Sequence, residues 1–508
     1  MKAQLFPGGP LSPRNTSREP VAHLSNFRWK IYAGLCAVSI LRFWIAPLRS
    51  SLWLDETATF WTACKGIAET IHRCQHAPGQ SLAYSLLSAI VMRVAGQSEL
   101  ALRLPSVLAA FGTAWLLFRL GKRLLDREAA LLAVVAFTVI PDIMREIPNA
   151  RPYAIALFFA VASTLQLVNW MDTGKIRYMF AYAFFSAGIA YFQPLLSIIY
   201  VPHVAYAVIR VRRNLRVRWN NLAIAALLTI TLLAPLLWYL LWVQQLSSKL
   251  AWSYTPNADE LVMSVFPQLW GPGIFAGLLI GYMLLRNAGA KSSPDIPLGD
   301  LALIASWLLL PLVVAFLVAR FTSFKIFVPR YYVEVFPALA LLTGWGMRSI
   351  YPARLRVVVT AAVVAAVFVA NGTWIGPRNH EDWRAAAEAV RAANIDANTP
   401  VLVHTALVET NQWIPSPESD SLLLAPLSKY PMPGRIILLP YQLNNSDGMD
   451  HMQRIASSSL EAAQHFVLVQ QQNLAFAIWL QGRFGSQFVS HQLTASDNKI
   501  VVVIFDRR

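Results

Sequence analysis

Long apolar stretches separated by short polar segments fill residues 29–375 of the chain. Several of these stretches are about 20 residues long, which is the length that a helix needs to cross the hydrocarbon core of a membrane. A helix also satisfies its own backbone hydrogen bonds inside lipid. The pattern therefore predicts a polytopic α-helical membrane protein.

The apolar pattern predicts eleven membrane spans. They cover residues 29–48, 104–121, 129–144, 152–171, 178–193, 195–211, 222–243, 269–286, 300–319, 331–348 and 357–375. A further apolar stretch at 81–95 is short for a span. If it crossed the membrane, every later basic loop would change sides, so we expect it to lie along the membrane surface.

Basic residues indicate how the chain threads the membrane, because loops rich in Lys and Arg stay on the cytoplasmic side. With the N-terminal tail inside, all five short basic loops fall on the inner side. They contain Arg119/Lys122/Arg123/Arg127, Lys175/Arg177, Arg210/Arg212/Arg213/Arg216/Arg218, Arg286/Lys291 and Arg348/Arg354/Arg356. The large first loop (49–103) then lies outside, because it follows the first span. An odd number of spans places the C-terminus outside as well.

Composition agrees with this class, since the 508 residues are 56% hydrophobic and 14% charged. The net charge of +16 alone would suggest nucleic acid as a partner. The basic residues punctuate the apolar runs, however, and do not gather on one soluble face, so we expect no nucleic-acid binding. Residues 1–28 are expected to form a cytoplasmic tail, and the first apolar run to remain as an anchor because no cleavage site follows it.

The pattern changes after the last span. Residues 376–508 contain no 20-residue apolar run. Short apolar runs at 401–403, 436–439, 466–469 and 500–504 predict buried strands, and helices are expected at 381–393, 449–463 and 473–484. Alternation of strands and helices predicts a soluble α/β domain on the outer side, in the periplasm.

Two adjacent carboxylates, Asp55 and Glu56, follow the first span directly. One interpretation is that Asp55 caps an interfacial helix that begins at Glu56, because Asp is a favoured N-cap residue. The other is that Asp55 acts as a general base, which takes the proton of an attacking hydroxyl group. The two interpretations are compatible, since a cap also holds a side chain in place.

Two later segments place cations on the same outer side. Arg151, followed by Pro152 and Tyr153, stands at the outer end of a span, and Lys325 stands with Arg330 and Tyr331 in a later outer loop. Such residues can simply anchor a protein in the interface. They can also bind a phosphate group, for which the planar guanidinium of Arg is well suited.

The first outer loop also contains His76 and two cysteines, Cys64 and Cys74. A lone His is more often a polar loop residue than a catalyst. No second His or Cys accompanies it at the spacing of a metal site, so none is predicted. The two cysteines can form a disulfide in an oxidising compartment or remain free thiols, because spacing alone does not fix the geometry.

Several motifs together resemble those of the lipid-linked-sugar glycosyltransferases of the GT-C fold. The likeness is to the bacterial branch with dolichyl-phosphate-mannose-protein mannosyltransferase-like and aminoarabinose-transferase-like proteins. The motifs are Leu52-Trp53-Leu54-Asp55-Glu56, Glu99-Leu100-Ala101-Leu102-Arg103-Leu104-Pro105-Ser106, Ala150-Arg151-Pro152-Tyr153-Ala154, Pro329-Arg330-Tyr331-Tyr332 with Phe336-Pro337-Ala338-Leu339, and Glu381-Asp382-Trp383-Arg384.

This resemblance implies a polyprenyl-phosphate-linked sugar donor and an inverting transfer to a lipid, glycan or protein on the periplasmic side of the bacterial inner membrane. Asp55 would be the general base and Glu56 its support. Arg151, Lys325 and Arg330 would contact phosphate, with Tyr153, Tyr331 and His76 as further substrate contacts. The chain has Asn149 where relatives often have an acidic residue, and His76-Ala77-Pro78 where two prolines are common. No organic cofactor is expected, and a divalent cation is left open.

Two other classes of function are compatible with the membrane part. A transporter or flippase for a lipid-linked or anionic solute would need ionisable groups deep in the spans and broken helices near the midplane. Alternatively, the outer α/β domain would be the working part, as an anchored binding module. Few charges lie deep in the predicted spans, and eleven spans are a large anchor, so we favour the enzyme.

Overall fold

The protein is described from a computed structural model. It describes residues 19–76, 79–213, 216–247, 255–265, 297–371, 381–407, 421–443, 446–471, 474–495 and 498–508. For residues 19–26, 76, 213, 240, 242–247, 265 and 446–447, the description is limited to the backbone.

Helices make up the membrane part. In chain order they are α1 (Glu19–Ile40), α2 (Leu54–Ala63), α3 (Ile67–His76), α4 (Leu82–Ala95), α5 (Glu99–Leu124), α6 (Arg127–Val139), α7 (Pro141–Glu146), α8 (Tyr153–Thr173), α9 (Ile176–Phe192), α10 (Tyr200–Arg213), α11 (Trp219–Ser247), α12 (Ala258–Val265), α13 (Leu298–Phe321), α14 (Phe336–Arg348) and α15 (Ala353–Ala370). Short 3₁₀ or π turns extend α1 to Arg49 and precede α10 and α14.

The predicted class is confirmed, and helices occupy the predicted spans wherever the structure describes them. Within the described ranges, seven helical segments are long and apolar enough to cross a membrane. They are Phe27–Arg49, Glu99–Leu124, Tyr153–Thr173, Pro194–Arg212, Trp219–Tyr239, Leu298–Phe321 and Ala353–Ala370. Helices α6, α9 and α14, with 13, 17 and 13 residues, fill three further predicted spans. Span 269–286 and residues 372–375 lie outside the described residues, so the number of eleven stays a prediction.

The short helices α6 and α14 lie in the middle of the bundle. Nearly every side chain of α6 is buried. Gly344 of α14 lies so close to α6 that a Cβ there would approach the carbonyl oxygen of Ala129 to 2.4 Å and the Cβ of Ala133 to 2.8 Å. Small residues therefore let these two backbones pack directly, as is common between membrane helices.

Ion pairs join the loops that the sequence assigns to the inner side. Arg348, the last residue of α14, contacts Asp126 before α6 at 2.9 Å, and Arg28 in α1 contacts Glu128 at 3.4 Å. Arg123 and Arg210 both pair with Asp172 at the end of α8. The ends of six helices thus meet in two clusters of charges, and the inner placement of these ends stays a prediction.

The loop at 49–103, which the sequence predicts to be the first outer loop, is largely helical where the structure describes it. The apolar stretch at 81–95 forms α4, and the hydroxyl of Ser81 accepts a hydrogen bond from the Tyr84 backbone N–H at its start. Helix α3 was not expected from the sequence. No disulfide joins Cys64 and Cys74.

The C-terminal part is an α/β unit, as the sequence predicts. It contains α16 (Trp383–Ala392), β1 (Pro400–His404), α17 (Ala425–Lys429), β2 (Arg435–Leu438), α18 (Ser446–Ile455), β3 (His465–Gln471), α19 (Ala475–Phe484), β4 (Phe488–Gln492) and β5 (Ile500–Arg507). The strands form one sheet in the order β2-β1-β3-β5-β4. Strands β2, β1 and β3 are parallel, and β5 and β4 run antiparallel to their neighbours.

All four expected strands are present, and β4 was missed. The residues of β4 are mostly exposed beyond Phe488, because the strand lies at the edge of the sheet. Its sequence therefore lacks the apolar run that marks a buried strand.

The two faces of the sheet pack against different partners. Leu402 and Leu468 point toward α18 and α19. Val401 and Val403 share the other core with Trp383 and with Leu52 and Phe60 of the first outer loop. The C-terminal unit is therefore packed on the loop that carries Asp55 and Glu56.

Candidate active site

The acidic pair lies in the first turn of α2. This helix begins at Leu54, with Trp53 as its N-cap residue, and the Glu56 carboxylate accepts a hydrogen bond from the Trp53 backbone N–H at 3.2 Å. The interpretation of Asp55 as the helix cap is therefore wrong. Glu56, at the third helical position, caps the helix with its side chain. The side chain of Asp55 takes no part in the cap and can make other contacts.

Glu56 forms a fully buried ion pair with Arg103 of α5. The Arg103 guanidinium donates from Nε to Oε1 at 2.8 Å and from Nη2 to Oε2 at 2.5 Å, and neither side chain is exposed. The Ala150 backbone N–H donates to Oε1 at 2.6 Å. Because both carboxylate oxygens are engaged and buried, Glu56 cannot meet a substrate, and its placement supports a positioning role.

Arg103 also binds the backbone that leads into α2. Its Nη1 donates to the carbonyl oxygens of Pro47, Leu48 and Ser50, and its Nη2 to that of Ser51. A buried guanidinium with so many acceptors fixes the course of residues 47–51. Together with the Glu56–Ala150 bond, it ties the start of α2 to the segment that carries Arg151.

Asp55 faces two arginines from distant parts of the chain. Arg330 Nη1 lies 2.7 Å from Asp55 Oδ2, and Arg151 Nη2 lies 4.0 Å from the same oxygen. The Asp55 side chain is 23% exposed, whereas that of Arg151 is 10% exposed. The structure thus joins three of the predicted site residues at one partly accessible carboxylate.

Arg151 is held by Asp55 and by further neighbours that the sequence did not identify. Its Nη1 donates to the Asp55 carbonyl oxygen at 3.2 Å, to Thr59 Oγ1 at 3.3 Å and to Gln80 Oε1 at 3.2 Å. The Ser106 hydroxyl donates to the Arg151 carbonyl oxygen at 3.2 Å. The guanidinium is therefore held by α2 and by the segment before α4, and the backbone of Arg151 is held by α5.

The two predicted tyrosines line the same site. The rings of Tyr153 and Tyr331 are 6.4 Å apart, and Tyr153 is buried. The Arg330 guanidinium lies 5.5 Å from the centre of the Tyr331 ring. Arg330 is therefore bordered by an aromatic face and by the carboxylate of Asp55.

Two carboxylates near Arg151 in sequence have other partners. Asp142 pairs with Arg145, and Glu146 accepts a hydrogen bond from Asn149 at 3.2 Å. Asp55 is the carboxylate that faces Arg151. Within the described ranges, no three His, Cys, Asp or Glu side chains come close enough together to hold a metal ion.

Lys325 is oriented differently from the other predicted phosphate contacts. Its Nζ donates to the carbonyl oxygens of Ala319 at 2.9 Å and Thr322 at 3.1 Å. The ammonium group therefore neutralises the C-terminal end of α13, a common role for a Lys. This placement does not support the phosphate role. For His76, only the backbone at the end of α3 is described.

If the chain uses the phosphate-linked sugar donor that the sequence resemblance implies, replacement of Lys325 by methionine is expected to change the donor KM by less than about twofold. The ammonium binds carbonyl oxygens at the end of α13 and is not directed at a substrate. Steady-state transfer assays on the purified variant would measure this. A rise in the donor KM as large as that of an Arg330 variant would support the predicted contact between Lys325 and phosphate.

A carboxylate of the C-terminal unit reaches the same helix. Glu381 Oε2 accepts a hydrogen bond from the Leu54 backbone N–H at 3.1 Å. Burial raises the pKa of the Glu381 carboxyl, and the nearby carboxylates of Asp55 and Glu56 add to the increase. Glu381 was noted in the sequence only as part of a motif, since its partner lies 327 positions away.

Comparison with known proteins connects this arrangement to a family and a fold. Residues 78–239 match the family described as dolichyl-phosphate-mannose-protein mannosyltransferase. The structure of ArnT from Cupriavidus metallidurans bound to undecaprenyl phosphate is similar, with 11% identity, a TM-score of 0.55 and coverage of 93% of this chain and 97% of that chain. The structure of ArnT from the same organism in the apo state is similar too, with 10% identity, a TM-score of 0.56 and coverage of 94% of this chain and 98% of that chain. The comparison with curated proteins gives no match.

At these identities, the likeness to the solved structures is one of fold. It extends over nearly the whole chain, whereas the family match covers the first outer loop from residue 78 and the spans up to residue 239. The resemblance found in the sequence motifs is thereby confirmed. Residues 78–239 are therefore similar to the mannosyltransferase family, and the chain as a whole shares the fold of ArnT.

Proposed function

We propose that this protein moves a sugar from a polyprenyl-phosphate-linked donor to a hydroxyl group of a lipid, glycan or protein at the periplasmic face of the bacterial inner membrane. The observation that carries the proposal is the partly exposed Asp55 carboxylate, which faces Arg330 at 2.7 Å and Arg151 at 4.0 Å. Such a site offers a base for a hydroxyl group beside cations for a phosphate. A transporter has no need of this combination.

Arg151 and Arg330 are the groups that we assign to the donor phosphate. Arg151 is nearly buried and held in place, whereas Arg330 projects from a short 3₁₀ turn, Pro329–Tyr331. A guanidinium can make paired, charge-assisted hydrogen bonds to phosphate oxygens. The undecaprenyl phosphate bound in the ArnT structure supports a carrier of this chemical class.

We infer a single displacement at the anomeric carbon. The acceptor oxygen attacks this carbon while Asp55 takes the hydroxyl proton, a new C–O bond forms, and the bond between the carbon and the phosphate oxygen breaks. The bonding electrons leave with the phosphate oxygen, whose developing negative charge is stabilised by the arginines. Attack opposite the leaving group inverts the configuration.

The contact between Asp55 and Arg330 has a consequence for this mechanism. While Arg330 donates to Asp55 Oδ2 at 2.7 Å, this oxygen is occupied and less accessible to an acceptor hydroxyl group. The donor phosphate competes with Asp55 for Arg330. Binding of the donor is therefore expected to free the base, so that the acceptor reacts only after the donor has bound.

Replacement of Arg330 by glutamine tests the phosphate assignment. The donor KM is expected to rise about 10–100-fold, since a hydrogen bond to a charged group contributes about 1.5–3 kcal/mol. The measurement is transfer from a synthetic polyprenyl-phosphate sugar by the purified protein, with polyprenyl phosphate as competitor. Arg320→Gln is the matched control, because Arg320 is exposed at the end of α13. An unchanged donor KM in the Arg330 variant would refute the assignment.

A further inference from the structure

The backbone just before Asp55 is held by side chains at three consecutive positions. The Leu52 N–H donates to the Tyr430 hydroxyl at 2.8 Å, the Trp53 N–H to Glu56 at 3.2 Å, and the Leu54 N–H to Glu381 at 3.1 Å. The first N–H groups of a helix have no partner within the helix, so side chains must satisfy them when they are buried. Two of these three acceptors belong to the C-terminal α/β unit.

Glu381 is itself anchored to the sheet. The next residue, Asp382, caps α16 by accepting a hydrogen bond from the Ala385 N–H at 2.9 Å. The side chain of Asn498, which precedes β5, binds the backbone of Asp382 on both sides. Its Oδ1 accepts a hydrogen bond from the Asp382 N–H at 3.0 Å, and its Nδ2 donates to the Asp382 carbonyl oxygen at 3.2 Å. The carboxylate that meets Leu54 is therefore presented by a rigid segment.

Arg384 continues the same contact toward the first span. Its backbone N–H donates to Ser51 Oγ at 3.2 Å, and its guanidinium reaches the Arg49 carbonyl oxygen at 3.2 Å. The guanidinium also pairs with Glu99 at 2.8 Å. Glu99 in turn accepts a hydrogen bond from the Tyr430 hydroxyl at 3.0 Å, so that these contacts form one network.

Apolar packing closes the network. Trp383 is fully buried between the C-terminal unit and the outer loop, in one cluster with Leu52, Leu54 and Phe60. Lys429 of α17 lies 5.1 Å from the centre of the Phe60 ring. The polar contacts are thus shielded from water, which strengthens them.

We propose that the C-terminal unit acts on catalysis by positioning the catalytic carboxylate, with Glu381 and Tyr430 as positioning residues that hold the N-terminal end of α2. This inference rests on the proposed role of Asp55. Asp55 is the residue after Leu54, so a loose first turn lets its carboxylate drift from the acceptor hydroxyl, and a misplacement of about 1 Å can cost about 100-fold in rate.

The experiment compares Glu381→Ala, Glu381→Gln and Tyr430→Phe in the full-length protein. Hydrogen–deuterium exchange of a peptide that covers residues 51–56 is expected to become about tenfold faster in Glu381→Ala and Tyr430→Phe. Each variant loses one hydrogen bond that protects a backbone N–H from exchange. The value of kcat is expected to fall about tenfold, while the donor KM stays within twofold. Glu381→Gln keeps an acceptor oxygen and is expected to restore both readouts to near the native values.

Matched controls come from the same unit. Glu388→Ala changes an exposed glutamate in α16, and Tyr441→Phe changes a partly buried tyrosine after β2, whose carbonyl oxygen contacts His404. Both are expected to leave exchange of residues 51–56 and kcat unchanged. Membrane yield and the unfolding temperature identify a variant that fails to fold. If Glu381→Ala fails to fold, exchange and kcat are compared between Tyr430→Phe and Glu381→Gln.

The exchange readout separates this inference from the proposed function. If neither Glu381→Ala nor Tyr430→Phe changes exchange of residues 51–56 or kcat, the positioning role is refuted, whatever Asp55 does. If Asp55→Asn retains full transfer, the general-base assignment fails, and faster exchange in these variants would still establish that the C-terminal unit orders α2. A rise in donor KM with unchanged kcat would instead place Glu381 among the donor contacts.

Discussion

Replacement of Asp55 by asparagine is expected to lower the rate of sugar transfer by about 10²–10⁴-fold, the range that general acid–base catalysis contributes. The amide has nearly the shape of the carboxylate and keeps an oxygen for Arg330, but it cannot take the proton of the acceptor. Donor binding is expected to persist, because Arg151 and Arg330 remain and no longer share their charge with a carboxylate. Single-turnover transfer and donor-binding assays on the purified variant measure the two effects separately.

Asp396→Asn is the control for this experiment, because Asp396 is an exposed aspartate of the C-terminal unit. It is expected to transfer sugar at the native rate. Substantial transfer by the Asp55 variant would contradict the assignment of the base. A variant that also lost donor binding would show that Asp55 mainly organises the arginines.

The sequence predicted those parts of the protein that follow from periodicity and charge. Apolar runs of about 20 residues identify membrane helices, and the positions of basic residues indicate their direction. The outer placement of Arg151 and Arg330 followed from that threading, and the structure brings both to Asp55. The predicted strands of the C-terminal unit were equally readable, since each is a buried apolar run.

The parts that could not be predicted depend on contacts between distant positions. Arg103 ends an outer loop in the sequence, where one charge beside an apolar run is an ordinary interfacial residue, yet it is fully buried in the fold. Glu56 is adjacent to Asp55 but points the other way, because residues two and three of a helix face different directions. Glu381 and Tyr430 reach α2 across more than 300 positions, for which one sequence contains no local signal.

The roles of Asp55 and Glu56 therefore differ although the two residues are chemically similar. Asp55 is 23% exposed and faces two arginines, which can bind a phosphate group in place of its carboxylate. Glu56 is buried with Arg103, and its bond to the Ala150 N–H links the residue after Asp55 to the residue before Arg151. One carboxylate does the chemistry that we propose, and the other fixes the frame in which it occurs.

Replacement of Arg103 by methionine is expected to destabilise the protein by about 3–5 kcal/mol, because it leaves the buried Glu56 carboxylate without its ionic partner. The backbone carbonyls of residues 47–51 lose their donors at the same time. Thermal unfolding in detergent, followed by intrinsic fluorescence, measures the loss. Transfer activity is expected to fall below detection even at temperatures where the variant is folded, since the first turn of α2 is no longer held.

The double variant Glu56→Gln/Arg103→Met distinguishes a lost interaction from a general defect. It removes both charges, so its destabilisation is expected to be smaller than the sum of the two single changes by about 0.5–3 kcal/mol. Arg483→Met is the control, because its pair with Glu461 is exposed and such pairs contribute little. Strict additivity of Glu56→Gln and Arg103→Met would mean that the ion pair does not couple the two residues, and the framework role of Glu56 would then have to rest on its bond to Ala150 alone.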